Sequence, residues 1–467
     1  MSQTSIERLR HYLGQLPPQS QAMLMREFER AIERGQDVAV ATLVLEQLRM
    51  MVRSGEDDRP RNGDLARLFF QPLDPFLVDG SAAVRPGQIR RASLSPIWLW
   101  VVREGAPDEA RDYEAVMAAT RDADASREVD KAVRKLQRAA AEAILKITGP
   151  GHGDNQRALA RVGAPDVVDD LLPIGSVLKA REALDGLVGR LPRYIQVFGD
   201  AQIAAVNEAL NVPSLQTPQL LPFALSLVMQ RLTAPWQIIR LAIKMAASDD
   251  EVRVAATPYG IAVTMALHDL SHLAAALRMD IRRGHFTNIA DNLKLLHDGI
   301  RGLRTELDLR TESNWGKQLT AIRADISNSL QSEIDGVPGR VRRILRQRAD
   351  KDISAGLRID SVEIDEAASL IEFVAVCRNF ASELAINEVT LRTYSDLQQY
   401  VEKSTEALVQ SLRGGDTKSR AYRQMQVKAA VRFCEVLFGS DYASLMNRAA
   451  ENALIVERKP SRAGSKG

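Results

Sequence analysis

The chain has 467 residues, with 62 Lys and Arg against 60 Asp and Glu, six His, two Cys, 45% apolar residues and 5% aromatics. That composition excludes a disordered chain, which would be apolar-poor, and a disulfide-stapled secreted module, which would be cysteine-dense; so few rings also argue against a β-sandwich. The basic set is 49 Arg and 13 Lys, but a net charge of +2 lacks the clustered basic excess of a nucleic-acid binder, even though arginine grips phosphate with a planar fork.

Apolar residues recur at intervals of three and four along most of the chain, bounded by Pro, Gly or Ser/Thr/Asp. This is the amphipathic-helix pattern, and it predicts an all-α fold of stacked antiparallel helical hairpins and irregular helical layers, able to extend into an elongated multi-segment array. No fixed-period repeat of the ankyrin, tetratricopeptide or leucine-rich kind is present.

Residues 1–148 read as an N-terminal helical segment: short helices over 4–53, an exposed loop from Gly80 to Ser93, and one strong helix from Arg127 to Ile147. In Ser95-Pro96-Ile97-Trp98 a cap residue precedes proline at the first helical position, and Pro235-Trp236 repeats the proline–tryptophan pair. In both, the ring is expected to pack at a helix entry. Gly149 to Asn155 reads as a linker. Residues 156–256 form an array of four or five helices punctuated by Pro165, Pro173, Pro192, Pro213, Pro222 and Pro235.

Residues 258–350 are the most legible region. Val263, Leu267, Leu270, Ala274, Leu277 and Ile281 alternate by four and three; after a Gly-containing turn, Ile289, Leu293, Leu296, Ile300, Leu303 and Leu307 repeat the alternation. Two such runs predict an antiparallel, coiled-coil-like hairpin, each arm about 28 Å long at 1.5 Å per residue. In residues 360–456 a second hairpin sets Leu370, Val374, Cys377, Ala381 and Leu384 against Tyr394, Leu397, Val401, Leu408 and Leu412. Helices from about Lys418 to Phe438 and on to about Val456 complete that bundle. Residues 457–467 read as a disordered basic tail.

Three patterns carry potential chemistry. His268 and His272, four apart on a helix, project from one face with Asp269 between them, a spacing that can hold a divalent metal. It resembles the zinc-protease helix motif, but Asp269 is one methylene shorter than the glutamate that chemistry uses, and no third ligand follows at that spacing. With His297-Asp298, the His268-Asp269 pair faintly resembles the paired His-Asp of HD-type metal phosphohydrolases, which implies a helical metal-dependent hydrolase using His268, Asp269, His272, His297 and Asp298. The seam weighs against this: it places His268 and His272 on the outer face beside Ile261, Met265, Ala275 and Met279, with His297 flanking the seam of the other arm. Histidines at a packing boundary with a third helix are the favoured reading.

Ser176-Val177-Leu178-Lys179 matches the Ser-x-x-Lys of penicillin-binding enzymes, but the Ser-Asp-Asn and Lys-Thr-Gly companions are missing and the match reads as coincidence. Gly149, Gly151 and Gly153 follow a helix and precede Asp154-Asn155, which is a linker context and not a phosphate loop. Asp122 and Asp124 begin like a calcium loop that Arg127 then breaks.

The strongest charge feature is Arg340, Arg342, Arg343, Arg346 and Arg348 around Val341, Ile344 and Leu345. A basic amphipathic helix of this kind can dock on an acidic protein, on an anionic membrane surface or on RNA; without interleaved aromatics, nucleic acid is disfavoured. Glu333, Asp335, Asp350 and Asp352 are the acids able to balance it. The expectation is a non-catalytic helical scaffold or adaptor that binds a protein partner, requires no cofactor and resides in the cytoplasm. The last point rests on two unpaired cysteines, no signal-peptide core, and a longest uncharged stretch, Asn211 to Gln230, whose ten-residue apolar centre is too short to span a bilayer.

Overall fold

A computed structural model describes Leu24, Phe28 and residues 62–80, 84–119, 126–149, 154–286, 288–349, 352–353, 357–413 and 417–456. The expected helices over 4–53, the calcium-like Asp122 and Asp124, linker residues 150–153 and the tail over 457–467 lie outside the described residues.

In chain order, α1 (Asn62–Phe70) leads through a 3-10 turn to β1 (Leu77–Val78) and β2 (Ile89–Arg90), then α2 (Leu94–Trp100), α3 (Pro107–Ala119) and α4 (Ser126–Thr148). Seven shorter helices follow, α5 (Asp154–Val162), α6 (Pro165–Asp169), α7 (Leu171–Lys179), α8 (Arg181–Arg190), α9 (Asp200–Leu210), α10 (Leu221–Met229) and α11 (Ile239–Ala246). After α12 (Glu251–Ala255) come the long helices α13 (Ile261–Arg283), α14 (Ile289–Glu306), α15 (Asn314–Leu345), α16 (Ser361–Phe380), α17 (Asn387–Ser411), α18 (Thr417–Phe438) and α19 (Ser440–Val456). The fold is all-α, with one two-stranded parallel sheet, Leu77 opposite Ile89, among the described residues.

The chain divides into two compact units. The first comprises residues 1–70 and 106–136; within it the Tyr113 hydroxyl donates to the Leu65 carbonyl at 3.3 Å and Lys135 pairs with Asp112 at 2.8 Å. The second comprises residues 71–105 and 137–467, so the division falls inside α4 and not at the glycine-rich 149–155 segment.

In the second unit the hairpin seam is closed as the periodicity requires. All twelve seam positions from Val263 to Leu307 are buried between α13, α14 and their neighbours. Each fully buried leucine or isoleucine side chain there contributes roughly 1.5–3 kcal/mol by leaving water. Gly284, at φ +71°, supplies the left-handed residue that ends α13, and Ser313 caps α15 by accepting from the Gly316 amide at 3.0 Å. In the second hairpin every seam residue is buried except Tyr394, which is half-buried. The turn at 258–260 with α13 is long and apolar enough to cross a membrane by length and composition, yet half of its apolar window is buried within the fold.

Two local expectations fail. Pro96 does not open a helix: a 3-10 turn over Arg91–Ser93 runs directly into Leu94, so the proline sits in the first turn with Ser93 as the flanking residue. Its missing N–H is harmless there, because first-turn amides have no intrahelical partner. Of the segment from Gly80 to Ser93, expected as an exposed loop, the described residues 84–93 pack into the fold. Ile89 is fully buried, Arg85 is 7% exposed, and Asp170 accepts from the Arg90 guanidinium at 3.2 Å and the Ser93 hydroxyl at 2.6 Å.

Cys377 and Cys434 are both buried, and burial pushes both thiols above the usual cysteine range. The Thr405 hydroxyl lies 3.4 Å from the Cys434 sulfur. The folded protein is therefore expected to leave Ellman's reagent unreacted at pH 8, with both thiols titrating only after denaturation; prompt native reaction would contradict the packing.

Candidate functional site

The basic cluster is built on the end of the longest helix. Val341, Ile344 and Leu345 are buried, which turns Arg340, Arg342 and Arg343 outward; α15 stops at Leu345, leaving Arg346 and Arg348 on the irregular segment after it. That exit is fixed by Gln426 of α18, whose buried side-chain amide donates to the carbonyls of Ile344 and Arg346, each at 2.9 Å. These bonds satisfy carbonyls that a helix C-terminus leaves without partners.

The five arginines are unevenly matched. Arg340 pairs with Glu333 at 3.2 Å. Arg342 lies over the Tyr400 ring at 5.6 Å and Arg348 over the Tyr422 ring at 5.9 Å, contacts that fix the side chains without cancelling their charge. Arg343 and Arg346 are exposed and make no ion pair among the described residues. Of the acids expected to balance the cluster, Asp335 is taken up by Arg392 at 2.9 Å, Asp350 lies outside the described residues, and Asp352 is exposed with no ion pair among them. The result is a positively charged helix end with one counter-charge among the described residues.

The histidines take separate partners. His268 and His272 lie ring to ring, centroids 5.4 Å apart, and His268 faces a groove of about 600 Å3 between α13 and α15 that also includes Thr264, Gln318, Asp325 and Asn328. Met265, assigned from the pattern to the outer face, is fully buried, so α13 meets neighbours on more than its hairpin seam. His297 is bonded to its neighbour, Nδ1 to the Asp298 Oδ1 at 3.0 Å, and its ring tilts against Phe380 of α16. Among the described residues no group of three His, Cys, Asp or Glu is arranged to hold a metal ion.

Asp269 is engaged elsewhere, with a residue that no sequence motif singles out. Arg85, from the segment between β1 and β2, donates from Nε to the Asp269 carboxylate at 2.7 Å and from Nη1 to the Ser226 hydroxyl at 2.8 Å and the Pro86 carbonyl at 3.0 Å. Burial raises the Asp269 carboxyl above the usual range more than Arg85, with smaller help from His268 and His272, lowers it. This ion pair knits the chain 184 residues apart, a separation no local pattern reveals. The pair positions the segment around β2.

The chain matches no protein-family model, no curated protein and no solved structure.

Proposed function

We propose that the protein is a non-catalytic helical adaptor that holds an acidic segment of a protein partner at the C-terminal end of α15, through Arg342, Arg343, Arg346 and Arg348. The observation that supports this reading is the shortage of counter-charge among the described residues: there one of the five arginines is neutralised, by Glu333, while the others present guanidinium groups on a scaffold anchored by Gln426. Guanidinium forks are suited to bidentate carboxylate recognition, and aromatic stacking of Arg342 and Arg348 lowers the entropy lost when they engage a partner.

The test is affinity purification with mass spectrometry from the native host, comparing wild type with the Arg342→Glu/Arg343→Glu/Arg346→Glu variant. An acidic partner that elutes at raised salt from wild type and is lost from the variant, with far-UV circular dichroism unchanged, is the expected outcome. Equal recovery by both proteins removes this surface from the function. Salt-dependent capture of anionic liposomes or RNA in place of a protein would replace the partner class.

A further inference from the structure

A second feature lies away from the arginine cluster. Between α4, α7, α8 and the segment preceding α10 is a cavity of about 790 Å3, within the size range of small-molecule sites. Leu145, Leu172 and Leu220 give it an apolar lining, and Leu172 keeps 38% of its surface exposed although it borders a concavity. Apolar surface in a concave site is the usual signature of a ligand body.

The polar side of the same cavity carries Ser176, Lys179, Glu182, Ser214, Thr217 and Gln219. Ser176 and Lys179, one helical turn apart on α7, both border it. Ser176 is 7% exposed, and its hydroxyl makes no hydrogen bond among the described residues. The hydroxyl is not among the fully buried polar atoms, so it opens on the cavity and is available to an acceptor bound there. Lys179 makes no ion pair among the described residues, and Glu182, the acidic residue of the lining, is paired with Arg138 at 3.1 Å.

We propose that this cavity binds a small amphiphile with an apolar body and an anionic head, the body against Leu145, Leu172 and Leu220 and the head at Lys179 and the Ser176 hydroxyl. The Ser-x-x-Lys spacing thus serves recognition: positions three apart on a helix share a face, so hydroxyl and ammonium reach one anion together.

The experiment is isothermal titration of the full chain with decanoate, with decylamine and inorganic phosphate as the other two probes. Decanoate should bind at a single saturable site, while decylamine, with the same body and opposite charge, and phosphate, with a head and no body, should bind far more weakly. Lys179→Gln should weaken decanoate about tenfold, the scale of one lost charge-assisted contact, while Lys179→Arg retains binding. Ala183→Phe, on a half-exposed position of the lining, should abolish it by filling the space; circular dichroism confirms that each variant is folded. Absence of saturable decanoate binding, equal affinity for decylamine or phosphate, or affinity unchanged in both Lys179→Gln and Ala183→Phe would overturn the assignment.

Discussion

Replacing Arg85 by methionine should destabilise the protein by about 2–3 kcal/mol at pH 7, while Asp269→Asn should cost clearly less. The magnitude is set at the low side of a broken buried pair because the Asp269 side chain keeps 35% of its surface in solvent against 7% for Arg85. The asymmetry follows from what each change leaves behind. Without Arg85, a carboxylate whose burial already raises its pKa loses its main favourable charge. The amide introduced by Asp269→Asn instead still offers an oxygen to the guanidinium, which keeps its bonds to Ser226 and Pro86.

The pH dependence has a definite sign. A carboxyl raised in the folded state contributes stability that is fully present below its unfolded value of 3.8 and is lost as pH rises through the folded value. Arg85→Met raises the folded value further, so its cost should be large at neutral pH and shrink as acid protonates Asp269. Urea midpoints of wild type and both variants at pH 7 and pH 4 measure this directly, and the Arg85→Met/Asp269→Asn double variant should recover much of the single loss. A penalty for Arg85→Met that does not change with pH, or an Asp269→Asn penalty of equal size, would refute the account.

What the sequence discloses is what local periodicity encodes. The four-three alternation from Val263 to Leu307 marks a seam that is buried at every position, and the outward arginines on α15 follow from the same rule applied to Val341, Ile344 and Leu345. The turn residue of the hairpin, Gly284, is equally local. Contacts between segments distant in sequence are not written that way. Arg85 sits in a stretch whose Gly, Ala and Pro content suggests an exposed loop, and partners distant in sequence, among them Asp269, Ser226 and Asp170, tie that stretch to the core.

The candidate site divides along the same line. Its arginines are visible in the sequence, whereas the rings under Arg342 and Arg348 and the diversion of Asp335 to Arg392 depend on α17 and α18 packing beside α15. Ser176 and Lys179 stand out for a spacing that lacks its catalytic companions; the cavity that gives the pair a use is assembled from helices on either side of them. The helix entry at Leu94, ahead of Pro96, is hidden from the pattern because a 3-10 turn can precede an α-helix without any interruption in the apolar periodicity.

Trp236 supplies the second large effect. Its six-membered ring lies against Gly302 of α14: a Cβ at that position would fall 2.6 Å from Cε3 and closer still to Cζ3 and Cη2. Arg240 stands over the ring, 5.7 Å from its centroid, and holds Glu306, the last residue of α14, through Nε at 2.7 Å to Oε2. The Glu306 carboxylate raises the pKa of that guanidinium, so the clamp stays charged at every physiological pH. In an isolated helix, glycine to alanine gains roughly 0.5–1 kcal/mol in backbone entropy. Here the added methyl must displace an indole, and overpacking of that kind costs about 1–3 kcal/mol, so Gly302→Ala should lower stability despite its better helix propensity. The sign should reverse once the obstacle is gone: in a Trp236→Ala background, Gly302→Ala should stabilise, because only the propensity gain remains. A double-mutant cycle in urea isolates this coupling, since the two residues touch and their effects are not additive. Trp236 fluorescence in Gly302→Ala should shift to the red as the ring moves into water. A stabilising Gly302→Ala in the wild-type background, or the same effect in both backgrounds, would show that α14 and the turn at Pro235 do not meet through this ring.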